Sequence, residues 1–254
     1  MTIRTARSIS FLLPILLALL TWHCDRSDPR VLSLEKGDHI LLVGNNLCSR
    51  MMHYGHFETE LQLRYPDSLL YIRNMCDGGN TPGFRPHSGR VSPWAFPGAE
   101  RFQTELAHPS GSEGHFETPD EWLTRHEADI IIAFFGYNES FQGAAGLDNY
   151  RAELDAFIKH TLAQRYNGAT APQLAIVSPI AFEDLSDRYD LPDGVEENRR
   201  LARYTEAMRA VADSNGVHFV DVFTPTRQWM ADGDNLTIDG FQLTDAGYAR
   251  LAPL

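Results

Sequence analysis

Four short segments carry the groups in this chain that could do chemistry. They are Gly44-Asn45-Asn46, Asn74-Met75-Cys76-Asp77-Gly78-Gly79-Asn80-Thr81, Gly136-Tyr137-Asn138-Glu139 and Asp239-Gly240-Phe241-Gln242. All are rich in side-chain amides, carboxylates and glycine N–H groups. Such donors stabilise negative charge that develops on a reacting oxygen. Each segment alone also has a plain reading: GNN is a common turn, GYNE is another, and DGFQ is a loop whose Asp caps a helix. His53 and His56 stand three apart on a predicted helix, a spacing that reads as a solvated face rather than a metal pair. The ten histidines show no HxxxH spacing with an acidic partner, so no metal is expected. Gly44-Asn45-Asn46 lacks the later glycines of a phosphate loop, so no nucleotide cofactor is expected either.

Stepping outward from these segments, the elements that must hold them alternate in type. His39-Ile40-Leu41-Leu42-Val43 is a short apolar run closed by Gly44, and Leu47, Met51, Tyr54, Phe57, Leu61 and Tyr65 then recur at spacings of three and four. That is strand, sharp turn, helix, and the turn lies at the carboxyl end of a strand, where α/β folds place ligands. Residues 68–73 read as a second strand. Residues 74–118 hold 12 of the chain's 33 Gly and Pro, which predicts a long irregular excursion rather than helices; Trp94, Phe84, Phe96 and Phe102 would pack it on the body. Thr118-Pro119-Asp120-Glu121 has the residues of a capping box with Pro at the first helical position. The run 129–135 (DIIIAFF) reads as a central strand covered on both faces. Further strands follow at 174–177 and 217–222, with amphipathic helices at 150–162 and 201–211 and a terminal helix from Gly240 to Leu254. The alternation predicts a three-layer α/β/α domain, flavodoxin-like, with a parallel sheet of about five strands.

The chain has 254 residues, 43% hydrophobic and 22% charged, with a net charge of −12. It is long enough for one α/β domain with a full core. The acidic balance argues against nucleic acid and against anionic membrane surfaces. Arg4 and Arg7 precede the apolar stretch 9–20, a pattern that reads as a secretory leader too short to span a membrane comfortably. Residues 1–30 are therefore expected to be leader and linker, and 31–254 one domain. The expected location is exported: periplasmic, cell-surface or secreted. Membrane contact would come only through the leader, either uncleaved or replaced by a lipid on Cys24, although His23 and Trp22 suit a lipoprotein cleavage site poorly. Export permits a disulfide. Cys48 and Cys76 follow strands expected to be neighbours, which leaves a bridge and two buried thiols as alternatives. The chain ends inside a helical pattern, as a piece of a longer protein would.

At these segments the chain resembles the SGNH (GDSL-type) hydrolases, a family of ester and acyl hydrolases, over most of residues 37–248. The resemblance puts Asn46 where the family has its nucleophilic Ser, and Asn45 where it has Asp. Gly79 matches the oxyanion-hole glycine, and Asn138 the oxyanion-hole amide of the GxND block. Asp239 and Gln242 match DxxH, with Gln242 in place of the base. Its nearest flavour is the SGNH-like domains in large exported proteins of planctomycete-type bacteria. Acyl transfer through an enzyme ester needs a hydroxyl or thiol nucleophile and a base that titrates near neutrality. Asn46 is a very poor nucleophile, and Gln242 accepts no proton at accessible pH.

Three functional expectations follow. The first is an exported SGNH-like domain that binds an ester or glycan-like small molecule with little or no hydrolysis. The second is an active esterase with a substitute nucleophile, with Cys48 and Ser49 the nearest candidates and His87 and Asp77 in the long loop as outside ones. The third is an assembly module of a larger exported protein, its cleft filled by Trp94 and Phe96. Oligomeric state is not specified by the sequence.

Overall fold

The structure is a computed structural model that describes residues 32–87, 89–103 and 115–254. The leader, the linker and Cys24 lie outside the described residues. Five strands, β1 (His39–Gly44), β2 (Tyr71–Asn74), β3 (Ile130–Phe134), β4 (Gln173–Val177) and β5 (His218–Val220), form one parallel sheet in the order β2-β1-β3-β4-β5. The helices are α1 (Asn46–Ser49), α2 (His56–Arg64), α3 (Pro119–Arg125), α4 (Tyr137–Ser140), α5 (Leu147–Ala163), α6 (Val195–Asn215), α7 (Phe223–Ala231) and α8 (Asp245–Leu251). This is the three-layer α/β/α arrangement that the alternation predicts.

Side chains alternate across the sheet, as a strand's period of two requires. Leu41, Val43, Ile131, Ala133 and Ile176 face one side, where Tyr150, Leu154, Phe157 and Ile158 of α5 and Tyr204, Met208 and Val211 of α6 cover them. Ile40, Leu42, Ile130, Phe134 and Val177 face the other, against Tyr248 and Leu251 of α8 and Tyr54 and Phe57 near α2. The second face is covered less completely than the sequence suggests. Ile132, in the middle of the central strand, is only half-buried, and with Phe134, Val177 and Val220 it lines an apolar cavity under Tyr54 and Tyr248.

Four local readings need correction. The helix expected from Leu47 to Tyr65 is broken into α1, a 3-10 turn at Arg50–His53 and α2, because Tyr54 is extended and Gly55 opens α2. The second strand is Tyr71–Asn74 rather than 68–73; Leu69, with φ of 50°, stands outside extended geometry. The terminal helix begins only at Asp245, with Thr244 as its cap accepting from Gly247 N, because the preceding residues form a turn closed by an antiparallel bridge between Thr237 and Leu243. Helix α7 is hidden from a periodicity reading by Pro225. Pro is tolerated there because it falls in the first turn, where N–H groups lack helical partners, and Asp221 takes up the Thr224 N–H at 2.9 Å. The capping box is present as expected: Glu121 N donates to Thr118 Oγ1, and Thr118 N donates to Glu121 Oε2.

Candidate active site

The turn after β1 is built around Gly44, which has φ of 133° and pairs with Phe134 of β3. A Cβ there would stand 2.1 Å from the Phe134 carbonyl oxygen, so only glycine lets the two strands meet. Asn45 N then donates to Phe134 O at 3.0 Å. The buried Asn45 side chain caps α1 by accepting from Leu47 N at 3.3 Å. Asn46 is therefore the first residue of α1, half-buried, at the carboxyl edge of the sheet.

The loop after β2 comes to the same edge. Asp77 N donates to Gly44 O at 3.0 Å, joining the two turns, and a Cβ on Gly78 would lie 3.8 Å from Asn46 Oδ1. Cys48 and Cys76 form a disulfide with Cα atoms 5.8 Å apart, so the bridge is the alternative that the structure realises and Cys48 carries no thiol. Asn74 reinforces the junction: its Nδ2 donates to Cys48 O, and its Oδ1 accepts from Cys76 N.

Asn138, on α4, meets this loop directly. Its Nδ2 donates to the carbonyls of Gly78 (3.0 Å) and Asn80 (2.9 Å). Both amide hydrogens thus hold the loop rather than pointing into an open hole. Asn80 is buried, and its Oδ1 has no hydrogen-bond partner. Asn46 and Asn138 therefore both adjoin the loop, Asn46 at Gly78 and Asn138 at Gly78 and Asn80, with the exposed Gly79 between.

The last segment arrives from the other side. Asp239 Oδ1 accepts from Phe241 N (3.2 Å) and Gln242 N (2.8 Å), and Oδ2 accepts from Gln242 Nε2 at 2.7 Å. Phe241 stacks on Tyr137 with centroids 4.1 Å apart and planes at 11°, which joins this loop to α4. Burial, and then the Asp239 charge, push the Tyr137 hydroxyl well above its ordinary range. The loop is fixed from behind by Glu183, which is buried and accepts from Leu236 N, Thr237 N and Thr237 Oγ1.

Trp94 and Phe96 do not fill this region. Phe96 is buried in the core that α5 covers, and Trp94 packs against the same core and against Phe84. His56 pairs with Asp245 Oδ1 at 2.7 Å across α2 and α8, His53 is exposed, and His87 packs on Phe116. Asp77 is exposed, its Oδ1 accepting from Gly78 N.

Sequence reasoning missed three parts: the Tyr137–Phe241 stack, the Glu183 anchor, and the buried carboxyl pair of Glu139 and Glu153. Glu139, beside Asn138, accepts from Gly136 N at 2.8 Å. Burial, and then the neighbouring Glu153, push its carboxyl up to about 8. Glu153 accepts from Thr81 Oγ1, Gly83 N and Gln103 Nε2. Tyr137, Glu139 and Phe241 lay inside segments singled out by the sequence, whereas Glu153 and Glu183 did not.

Residues 86–250 match the GDSL-like lipase/acylhydrolase family, well over half of the chain; the match begins after Asn46 and Gly79 and takes in Asn138, Asp239 and Gln242. Among curated proteins none matches. Among solved structures, an acetylxylan esterase from Geobacillus stearothermophilus aligns at 16% identity and a TM-score of 0.56, over 87% of this chain and 94% of that one. A second acetyl xylan esterase aligns at 16% identity and 0.55, over 85% and 96%. A gut microbial diltiazem-metabolizing enzyme aligns at 15% identity and 0.59, over 89% of this chain and 47% of that one. At such identities the likeness is one of fold. With that fold shared across most of the chain, and the family match running through the Asn138 and Asp239 turns, the chain belongs to the GDSL-like lipase/acylhydrolase family.

Proposed function

We propose that this chain is an exported SGNH-type domain whose cleft binds an ester-bearing or glycan-like small molecule with little or no hydrolysis. One observation carries the reading: Gln242 Nε2 donates to Asp239 at 2.7 Å. In a triad, the Asp carboxylate accepts from the base's N–H and holds the base in place. Here that hydrogen bond is kept, while the group it holds is an amide that cannot take up a proton. Asn46 at the nucleophile position and the committed N–H groups of Asn138 support the same reading. So does the amide-rich cleft, since side-chain amides pair well with hydroxyl and carbonyl groups. Export is supported by the leader pattern of residues 1–20 and by the Cys48–Cys76 disulfide, a bond that persists in oxidising compartments.

The acetylxylan esterases among the structural neighbours supply a first ligand to try. Calorimetric titration with acetylated xylo-oligosaccharides, with acetate release followed in parallel, tests the proposal. Saturable binding without acetate release is expected. Turnover at rates typical of enzymes, above about 1 s⁻¹, contradicts it.

A further inference from the structure

Beneath the two turns that meet at Asn138, the structure buries two carboxyl groups: Glu139, bonded to Gly136 N, and Glu153, one turn of α5 beyond the Tyr150 that Gly136 adjoins. Glu139 is 5% exposed and Glu153 2%. Glu139 caps its own turn through Gly136 N with one oxygen, and its other oxygen, Oε1, is buried without a hydrogen-bond partner. Glu153, on α5, holds the loop after β2 through Thr81, Gly83 and Gln103. The hydroxyl of Tyr150, also on α5, is buried and unpartnered too, and a Cβ on Gly136 would lie 3.4 Å from it. Among the described residues Tyr204 of α6 is a further titratable group near Glu139; its hydroxyl donates to Gly143 O. Among the described residues, the charge that acts on Glu139 is the Glu153 carboxylate. Two ionised carboxylates in such a site repel each other with little screening, so one of them keeps its proton.

We propose that Glu139 is a proton switch of the cleft. Protonated, it closes the buried joint between α4 and the loop at residues 78–83. Ionised beside Glu153, it loosens that joint and with it the Asn138 clamp on Gly78 and Asn80. The chemical event is loss of one proton from the Glu139 carboxyl to solvent, with no other bond changed. Only the description of these loops as a ligand site rests on the reading above. The charge state stands apart from it.

The direction of the pH dependence follows from linkage. Burial and Glu153 raise the Glu139 carboxyl to about 8, while in an opened joint it returns to the ordinary range of about 4.3. The closed state then binds more protons than the open one between those limits. The closed joint is therefore progressively lost as pH rises through this window, and the loss levels off above it.

The test uses the full chain and no ligand, so its failure is distinct from failure of the binding proposal. Hydrogen exchange of the amides of Asn80, Thr81 and Gly83, corrected for the intrinsic pH dependence, should lose at least about tenfold in protection between pH 6 and pH 9. Glu139→Gln should abolish that loss, and should remove a protonated-carboxyl band from the infrared spectrum at pH 6. Glu153→Gln should shift the transition to lower pH. Parallel exchange profiles in wild type and Glu139→Gln would overturn the proposal. So would the absence of a protonated carboxyl in the wild-type spectrum at pH 6, a measurement that does not depend on either variant folding.

Discussion

Asp239 spends both oxygens on its own neighbourhood, two N–H groups of its turn and the Gln242 amide. The Gln242 side chain is thus fixed against Asp239, and its amide cannot act as a base. Restoring the groups is the direct residue-scale experiment. Asn46→Ser supplies a hydroxyl, and Gln242→His supplies a ring that Asp239 is placed to orient. Because triad members act as a unit, each single change should gain little in hydrolysis of an activated acetyl ester, and the pair should gain at least about 100-fold over wild type. Equal small gains in all three variants would show that Asp239 does not position the introduced ring. Asn138 poses a different question, since its amide serves the carbonyl groups of half-buried Gly78 and buried Asn80. Asn138→Ala is expected to cost about 1–3 kcal/mol in urea unfolding by leaving those carbonyls unpaired, and a neutral result would mean that the clamp is solvated instead.

At the scale of elements, the candidate site is a set of turns fixed by anchors from distant parts of the chain. The disulfide joins α1 to the loop after β2 over a separation of 28 residues. Replacing both cysteines by serine should cost about 3 kcal/mol, chiefly by releasing the unfolded chain, as read from the urea midpoint at constant m. Gly44→Ala should be worse, on the order of 4 kcal/mol or more, because a side chain at that φ meets the Phe134 carbonyl. The elements behind these predictions were largely legible in the sequence. Strand, turn and helix around Gly44 follow from a change of hydrophobic period, and the Thr118 capping box from residue types three apart. What was not legible is long-range. Glu183 holds Leu236 and Thr237 from more than 50 residues away, and Glu153 holds Thr81 and Gly83 from 70 or more. A buried carboxylate reads in a sequence like an exposed one, and helix periodicity gives no sign of the backbone N–H groups it will meet. The late start of α8 was missed for a related reason: Phe241 and Leu243 continue a helical pattern, yet Asp239 binds the local N–H groups into a turn instead.

At the scale of the molecule, five parallel strands and a match to the GDSL-like lipase/acylhydrolase family frame the candidate site. The sheet face bearing Ile132 and Val220 leaves an apolar cavity under Tyr54 and Tyr248, so the native protein should enhance the fluorescence of anilinonaphthalene sulfonate at neutral pH, as exposed apolar surface does. Dye fluorescence unchanged from buffer would mean that this face is closed in solution. The central claim is that the cleft keeps its binding geometry without a nucleophile, and intact-protein mass spectrometry after treatment with a fluorophosphonate tests it most directly. Wild type should remain at its unmodified mass, while the Asn46→Ser, Gln242→His pair should gain one adduct, mapped to the peptide that contains position 46. A wild-type adduct at Ser49 or any other hydroxyl of the cleft would contradict the account and name the nucleophile that replaces Asn46.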